Sequence, residues 1–309
     1  MSQVMGRIAT IILNWNGYKD TTECVESVLE SEHLNSEIII VDNGSSDGSA
    51  EILRQRFPQC KLIQTRENLG FAAGNNLGIR YALGNGFDYI LLLNNDTVVE
   101  KDFLLPLITL IEQHPQTGVV QAKLLNYYQK EVIDSLGQEV LSSGGMRDKL
   151  ENAIPVDNQP FEIFGACAAA ALYKARLFVD AGLFDEAFFI LFEDAELSWR
   201  IRLQGYKAFL VPDSIVYHKR GISGPNTTSK IRDYYLHRNN LFLITKYWPN
   251  NYFIKHLYFI LFSLMRSSVD AFQKGEFQQF VLLLKRILKE RALIQKNGRI
   301  KQVYHQWLV

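Results

Sequence analysis

The sequence predicts an α/β fold built on a parallel sheet covered by helices, and three observations carry that prediction. Unbroken apolar runs of strand length recur at Ile8-Ala9-Thr10-Ile11-Ile12-Leu13, Ile38-Ile39-Ile40-Val41 and Tyr89-Ile90-Leu91-Leu92-Leu93, as expected of strands buried on both faces. Helical patterns alternate with them, which argues for right-handed crossovers between parallel strands. Each run stops abruptly in polar residues, at the carboxyl ends of strands where open α/β sheets bind their ligands.

Taken in order, the first run ends in Asn14-Trp15-Asn16-Gly17, and Asp20 with Glu23 makes a capping-box-like start to a helix reaching about Leu29. The second ends in Asp42-Asn43-Gly44-Ser45-Ser46-Asp47-Gly48, followed by a helix to Phe57 and a short strand around Leu62-Ile63. That loop fails as a calcium loop, because a start at Asn43 places Arg54 where a bidentate glutamate is required. It suits hydrogen bonding to a nucleobase or ribose, or a polar helix start. The first crossover lacks the glycine fingerprint of dinucleotide binders, which demotes a dehydrogenase. Gly70, Gly74 and Gly78 fall on one helical face. Each costs up to ~1 kcal/mol in a helix interior, so something approaches that face closely, either the sheet or a nucleotide at the helix start.

The third run ends in Asn94-Asn95-Asp96. A hard divalent cation takes one or two carboxylates and completes its shell with waters and phosphates, so Asp96 alone can found a metal–diphosphate site; the same residues also suit a turn. Asp102 opens a helix to about Gln113, and Val119-Val120-Gln121-Ala122 reads as a strand. From Tyr127 to Pro160 the periodicity weakens, as in an excursion of short strands facing an acceptor, and Gly165 to Ala170 is small enough for close approach. The aromatic segment Phe188 to Phe192 runs into Glu193-Asp194. Apolar surroundings raise a carboxylate's pKa and suit it to act as a base near neutral pH. Asp194 also fits the N-cap of a helix through Gln204, with Glu196 in its first turn. Tyr206 to Val211 reads as a strand, and Ile215-Val216-Tyr217-His218 ends in an imidazole ahead of Gly221 and Gly224.

Lys+Arg and Asp+Glu balance at 33 each, so the whole chain does not point to nucleic acid. The balance is uneven along the chain: from Lys274 onward there is a local excess of six positive charges, which suits an anionic surface. Three scattered cysteines, Cys24, Cys60 and Cys167, and no signal-peptide pattern predict a reducing, cytoplasmic setting. The sequons at Asn43, Asn95 and Asn226 are then incidental.

In this order, Val41-Asp42-Asn43-Gly44-Ser45-Ser46-Asp47-Gly48, Asn68-Leu69-Gly70-Phe71, Leu93-Asn94-Asn95-Asp96, Glu193-Asp194 and Val216-Tyr217-His218 closely resemble the family 2 inverting glycosyltransferases, within them the bacterial rhamnosyltransferase-like members. The resemblance runs from about Ile8 to Trp248. It implies a GT-A fold, a mixed and mostly parallel sheet flanked by helices, with a catalytic domain at 1–225 and a helical C-terminal extension at 226–309. It also implies transfer of a sugar from a dTDP- or UDP-linked donor to a glycan or lipid-linked acceptor in cell-surface polysaccharide synthesis. Asp194 would be the catalytic base, with Glu193 and Trp199 on the acceptor side. Asp96 and His218 would hold a divalent metal, Mg²⁺ or Mn²⁺. Leu13, Trp15, Asn16, Asp42, Asn43, Asn68, Gly70, Phe71, Gly74, Asn94, Asn95 and Arg238 would contact the nucleotide sugar. Many relatives carry an aspartate where this chain has Asn94, leaving one acidic ligand. The rival readings are a sugar-nucleotide-binding protein without catalysis and a nucleotidyltransferase; the intact Glu193-Asp194 pair argues against the first, and the absence of a glycine-rich basic loop after the first strand against the second.

Phe253, Ile254, Leu257, Tyr258, Leu261, Phe262 and Met265 follow helical spacing, but the run is too short for the ~20 apolar residues of a span. With the basic residues beyond it, the stripe predicts either peripheral binding to the inner face of an anionic membrane or packing on the catalytic domain or a second subunit of an oligomer.

Overall fold

A computed structural model of the chain describes residues 6–31, 35–141, 146–148, 158–219 and 229–307. Strands and helices alternate at first: β1 (Ile8–Asn14), α1 (Tyr18–Leu29), β2 (Ser36–Asp42), α2 (Ser49–Arg56), β3 (Lys61–Gln64), α3 (Gly70–Gly84) and β4 (Tyr89–Asn94). The four strands are parallel in the order β3-β2-β1-β4. Next come β5 (Thr97–Val99), α4 (Leu104–Gln113), β6 (Thr117–Asn126), β7 (Ile133–Ser135), β8 (Gln138–Val140), β9 (Met146–Asp148), β10 (Phe161–Ile163) and β11 (Ala170–Lys174). β11 lies antiparallel between β4 and β6, so the sheet is mixed. The remainder is α5 (Ala175–Asp180), a 3-10 turn at Glu186–Phe188, α6 (Glu193–Gln204), β12 (Lys207–His218), α7 (Ser229–Tyr247), α8 (Asn250–Lys255), α9 (Leu257–Gln273), α10 (Phe277–Ile294) and α11 (Arg299–Trp307).

The apolar runs divide by alternation, as period-two geometry requires. Ile8, Ile12, Leu91 and Leu93 point into a core under α1, α2 and α4. Ala9, Ile11, Ile90 and Leu92 point into a second core under α3, α5 and α6. The glycine face of α3 lies on β1: a Cβ at Gly74 would stand 2.5 Å from Leu13 Cδ1, and one at Gly78 2.6 Å from Ile11 Cγ2. The close partner of Gly74 and Gly78 is therefore the sheet. Ile11 is fully buried and branched at Cβ, so it cannot swing aside. Gly78→Ala should destabilise the fold by roughly 1–2 kcal/mol, overpacking outweighing alanine's better helix propensity; an unchanged denaturation midpoint would refute this packing.

Two local expectations are corrected. The capping box does not form: Gly17 is the N-cap of α1, and Asp20 and Glu23 instead each hold Lys219 Nζ at 2.6 Å. The strand expected at Tyr206 to Val211 runs on through His218 as β12, parallel to β6 with a register irregularity between Val211 and Ile215. Pro212 falls in that irregularity, where a residue without an N–H interrupts a ladder least harmfully.

The expected division at 225/226 falls outside the described residues. The C-terminal helices share a third core with the sheet-bearing part of the chain, in which Phe164, Phe188 and Trp199 meet Tyr247, Trp248, Phe280 and Tyr304.

Candidate active site

The turn after β4 supplies the first half of the site. Asn94 and Ala169 are joined backbone to backbone at 3.0 Å, and Thr97 Oγ1 closes on the Asn94 carbonyl at 2.7 Å. Asp96 is thereby carried inward, 3% exposed, against the end of β12. Its Oδ1 lies 3.2 Å from His218 Nε2 and has no hydrogen-bond partner. The other imidazole nitrogen, Nδ1, lies 2.8 Å from Asp134 Oδ2. Burial disfavours the imidazolium, but Asp134 and Asp96 outweigh it and push His218 up to about 9, so a metal taking Nε2 would displace its proton.

An orphaned carboxylate oxygen beside an imidazole whose far nitrogen is fixed by a second carboxylate is the arrangement that metal-binding histidines use. Among the described residues no three His, Cys, Asp or Glu side chains form a full cage. Two protein ligands nevertheless fit Mg²⁺ or Mn²⁺, which fill their remaining positions with waters and substrate phosphates.

The second half comes from α6. Its N-cap is Phe192, in a left-handed conformation, so Asp194 is not the cap but belongs to the first turn. Asp194 Oδ1 accepts from Ala195 N at 2.7 Å and Oδ2 from Ala168 N at 3.2 Å. Desolvation, reinforced by Asp148, outweighs these hydrogen bonds and raises Asp194 to about 6. Glu193 is buried more deeply, its Oε2 has no hydrogen-bond partner, and desolvation followed by the neighbouring Asp194 charge raises it well above the carboxylate range.

The segment leading to this pair is strained. Phe189, Leu191 and Phe192 have φ of 61°, 70° and 69°, values costly for bulky residues. Two neighbours on α7 hold it. Asn239 Nδ2 donates to the carbonyls of Phe188, Ile190 and Leu191 at 2.8, 2.9 and 2.7 Å. Arg238, 5% exposed, donates to those of Ala187 and Phe188 at 2.6 and 3.1 Å. Arg238, expected on the leaving diphosphate, is thus engaged with the loop backbone. Asn239→Ala should lower kcat by roughly 10–100-fold with donor affinity retained, because small misplacements of a catalytic group are costly. A variant with wild-type kcat would exclude this positioning role.

A cavity of about 480 Å³ joins the two halves, lined among others by Asn94, Gln138, Asp148, Glu193, Asp194 and His218. Several other predicted residues act on the protein itself. Asn14 pairs in register with Asp42 and donates to its Oδ2 at 2.7 Å, so Asp42 is fully buried and organises the loop expected to face a base. Asn43 staples that loop to Asn68 Oδ1, Gly70 O and Leu69 N. Asn16, at φ 51°, accepts from Ser46 N at 2.8 Å, and Asn95 donates to Thr21 Oγ1 at 3.0 Å. Gly70 takes φ 83° against Phe189, Phe71 packs edge-on to Phe184 at 6.2 Å, and Leu13 lies on Gly74. Trp15 stays partly exposed at the strand end.

Trp199 is not on the acceptor side. Five residues past Asp194 on α6, it is absent from the cavity lining, 2% exposed, and stacks on Tyr247 at 5.1 Å. Sequence reasoning missed Asp134, Gln138 and Asp148, all within the stretch from Tyr127 to Pro160 that showed no periodicity. They are isolated polar residues on short strands, and nothing local marks them.

The family model described as "Glycosyl transferase family 2" matches residues 10–181. A poly-beta-1,6-N-acetyl-D-glucosamine synthase of Staphylococcus aureus (strain COL) is 26% identical over 203 residues, which are 65% of this chain and 47% of that protein. The chain spans about half the length of the curated relatives it matches. GalNAc-T7, solved with UDP, GalNAc and Mn²⁺, is similar at a TM-score of 0.65 and 16% identity, over 99% of this chain and 57% of that one. A mannosyltransferase from Pyrobaculum calidifontis, in complex with GDP-Man and Mn²⁺, is similar at 0.58 and 16%, over 99% and 88%. The structural likenesses establish the GT-A fold, and with the family match running from β1 through α5 the chain belongs to glycosyl transferase family 2.

Proposed function

We propose that the protein transfers a sugar, with inversion, from a nucleoside-diphosphate donor to a hydroxyl of a glycan or lipid-linked acceptor in the synthesis of a cell-surface polysaccharide. The observation that carries this reading is the cavity that puts a desolvated Asp194, raised to about 6, in the same space as His218. A carboxylate in that range is ionised near neutral pH yet basic enough to take a proton from an alcohol as it attacks. Asp194 Oδ1 and Oδ2 each accept one backbone N–H, which fixes the carboxylate plane and leaves lone pairs for the acceptor hydroxyl. The backbone clamp from Asn239 and Arg238 keeps that carboxylate at the cavity wall. Asp96 and His218 would hold Mg²⁺ or Mn²⁺, which when bound neutralises charge developing on the departing diphosphate. Donor identity is proposed as UDP- or dTDP-linked, with rhamnose as one candidate sugar from the sequence resemblance; the similar structures, solved with UDP and with GDP-Man, support a nucleotide-sugar donor.

The test is thermal stabilisation and slow donor hydrolysis against a panel of UDP-, dTDP- and GDP-sugars, each with Mg²⁺, Mn²⁺ or chelator. Stabilisation by one nucleoside diphosphate that chelator abolishes, with hydrolysis of its sugar conjugate, is the expected result. Binding without hydrolysis, even with acceptor extracts added, would favour a donor-binding protein without catalysis.

A further inference from the structure

The helical stripe that the sequence marks between Phe253 and Met265 is largely uncovered in the structure. On α9, Leu257, Tyr258, Leu261, Phe262, Met265, Val269 and Phe272 are exposed, with Tyr258 at 75% and Phe272 at 74%. The adjacent pairs Leu257/Tyr258 and Leu261/Phe262 and the residues after them recur every three or four positions and share one broad face. No helix among the described residues is long and apolar enough to cross a membrane. The charges around the stripe are mainly basic. Lys255 precedes it, Arg266 interrupts it and Lys274 follows it, all exposed, against Asp270 as the single acidic residue of α9.

We propose that this face of α9 seats the protein on an anionic bilayer surface and brings the cavity mouth to a lipid-linked acceptor; the acceptor half rests on the function proposed above, the bilayer half does not. Charge complementarity selects the occupant. A second copy packed face to face would set Lys255, Arg266 and Lys274 against their own like charges, whereas anionic headgroups pair with all three. An apolar stripe with a basic border is also the composition of helices that lie in a membrane interface.

The position of α9 fits the same role. At its C-terminal end Lys274 Nζ lies 4.2 Å from the centroid of the Tyr234 ring. The neighbouring Tyr235 stacks on Phe189 at 5.1 Å, within the strained segment that leads to Asp194. Arg232 and Leu236 of the same helix turn line the cavity. The exposed stripe therefore runs up to the cavity wall.

The experiment is co-sedimentation of the full chain with vesicles of neutral phosphatidylcholine and with vesicles containing phosphatidylglycerol, beside its mass in solution. Binding to the anionic vesicles alone is expected. It should fall at least about tenfold in Tyr258→Ser/Phe262→Ser/Met265→Ser and about thirtyfold in Lys255→Gln/Arg266→Gln, at roughly 1 kcal/mol per basic residue near the surface. These side chains are exposed, so both variants should keep the wild-type melting temperature and donor hydrolysis; that control separates loss of docking from loss of the transferase function. Equal binding to neutral vesicles, binding unaffected by either variant, or a dimer that the stripe variant dissociates would overturn the proposal.

Discussion

Replacing Asp194 by asparagine should lower kcat by about 10³-fold, within the range typical of a lost general base, while donor affinity stays within about twofold of wild type. Asparagine keeps the shape but accepts from only one of Ala195 N and Ala168 N, its Nδ2 facing the other donor, so retained donor affinity is the control that separates lost proton acceptance from misfolding. In the wild type, kcat/KM should rise with pH through about 6, as Asp194 ionises. Stability should move the opposite way. The folded pKa is raised above the unfolded carboxylate value, so the native state holds the proton more tightly and loses stability as pH rises from about 4 to 6. Asp194→Asn escapes that loss. The difference in melting temperature between variant and wild type should therefore shift in the variant's favour as pH rises from about 4 to 8. A variant that retains most of its turnover, or a flat pH profile with a known acceptor, would remove Asp194 from the chemistry.

Removing Glu196 should cost more stability than any other substitution considered above. Its carboxylate is fully buried and collects Arg200 Nη2, Lys246 Nζ and Tyr247 Oη, each at 2.7 Å. Lys246 also meets Glu290 of α10 at 2.7 Å, so one buried residue of α6 ties the sheet-bearing part to the C-terminal helices. Burial opposes ionisation, but Arg200 and Lys246 outweigh it and hold Glu196 at about 2. Glu196→Ala strands those cations without their partner. The expected loss is roughly 3 kcal/mol, at the low end for a broken buried pair because Lys246 retains Glu290. The folded pKa is depressed here, so the contribution is present above the unfolded carboxylate range and is lost as pH falls toward 2. Denaturant melts of wild type and Glu196→Gln should accordingly converge as pH drops below 4. Melts that stay parallel, or a loss under 1 kcal/mol for Glu196→Ala, would show the network to be incidental.

Much of the sheet is legible because its signals are local. β1, β2 and β4 are continuous apolar runs, and their alternate residues fill two cores as period-two geometry demands. The polar strand ends and the helix start after the aromatic segment are legible for the same reason, which is why Asp96, Asp194 and His218 stand out in the bare sequence. The glycine stripe of α3 announces a close approach but not its partner; only the packing of Leu13 and Ile11 decides between sheet and ligand. Glu196 reads as a helix-dipole partner, since nothing in its neighbourhood shows that Lys246, fifty residues on, will reach it.

The sequence by itself determined where the chemistry-bearing side chains stand along the chain, because strand ends, helix starts and apolar periodicity are written within a dozen residues. Tertiary structure alone decided what those side chains face. Asp134 reaches His218 across 84 residues, and Asn239 reaches Leu191 across 48. Arg238 is turned from a diphosphate contact into a brace, and Trp199 from an acceptor platform into core. Such pairings are set by the mixed sheet and by helices closing over it. Their residues have no shared local pattern, so the partner of a buried polar group is known only once the chain has folded around it.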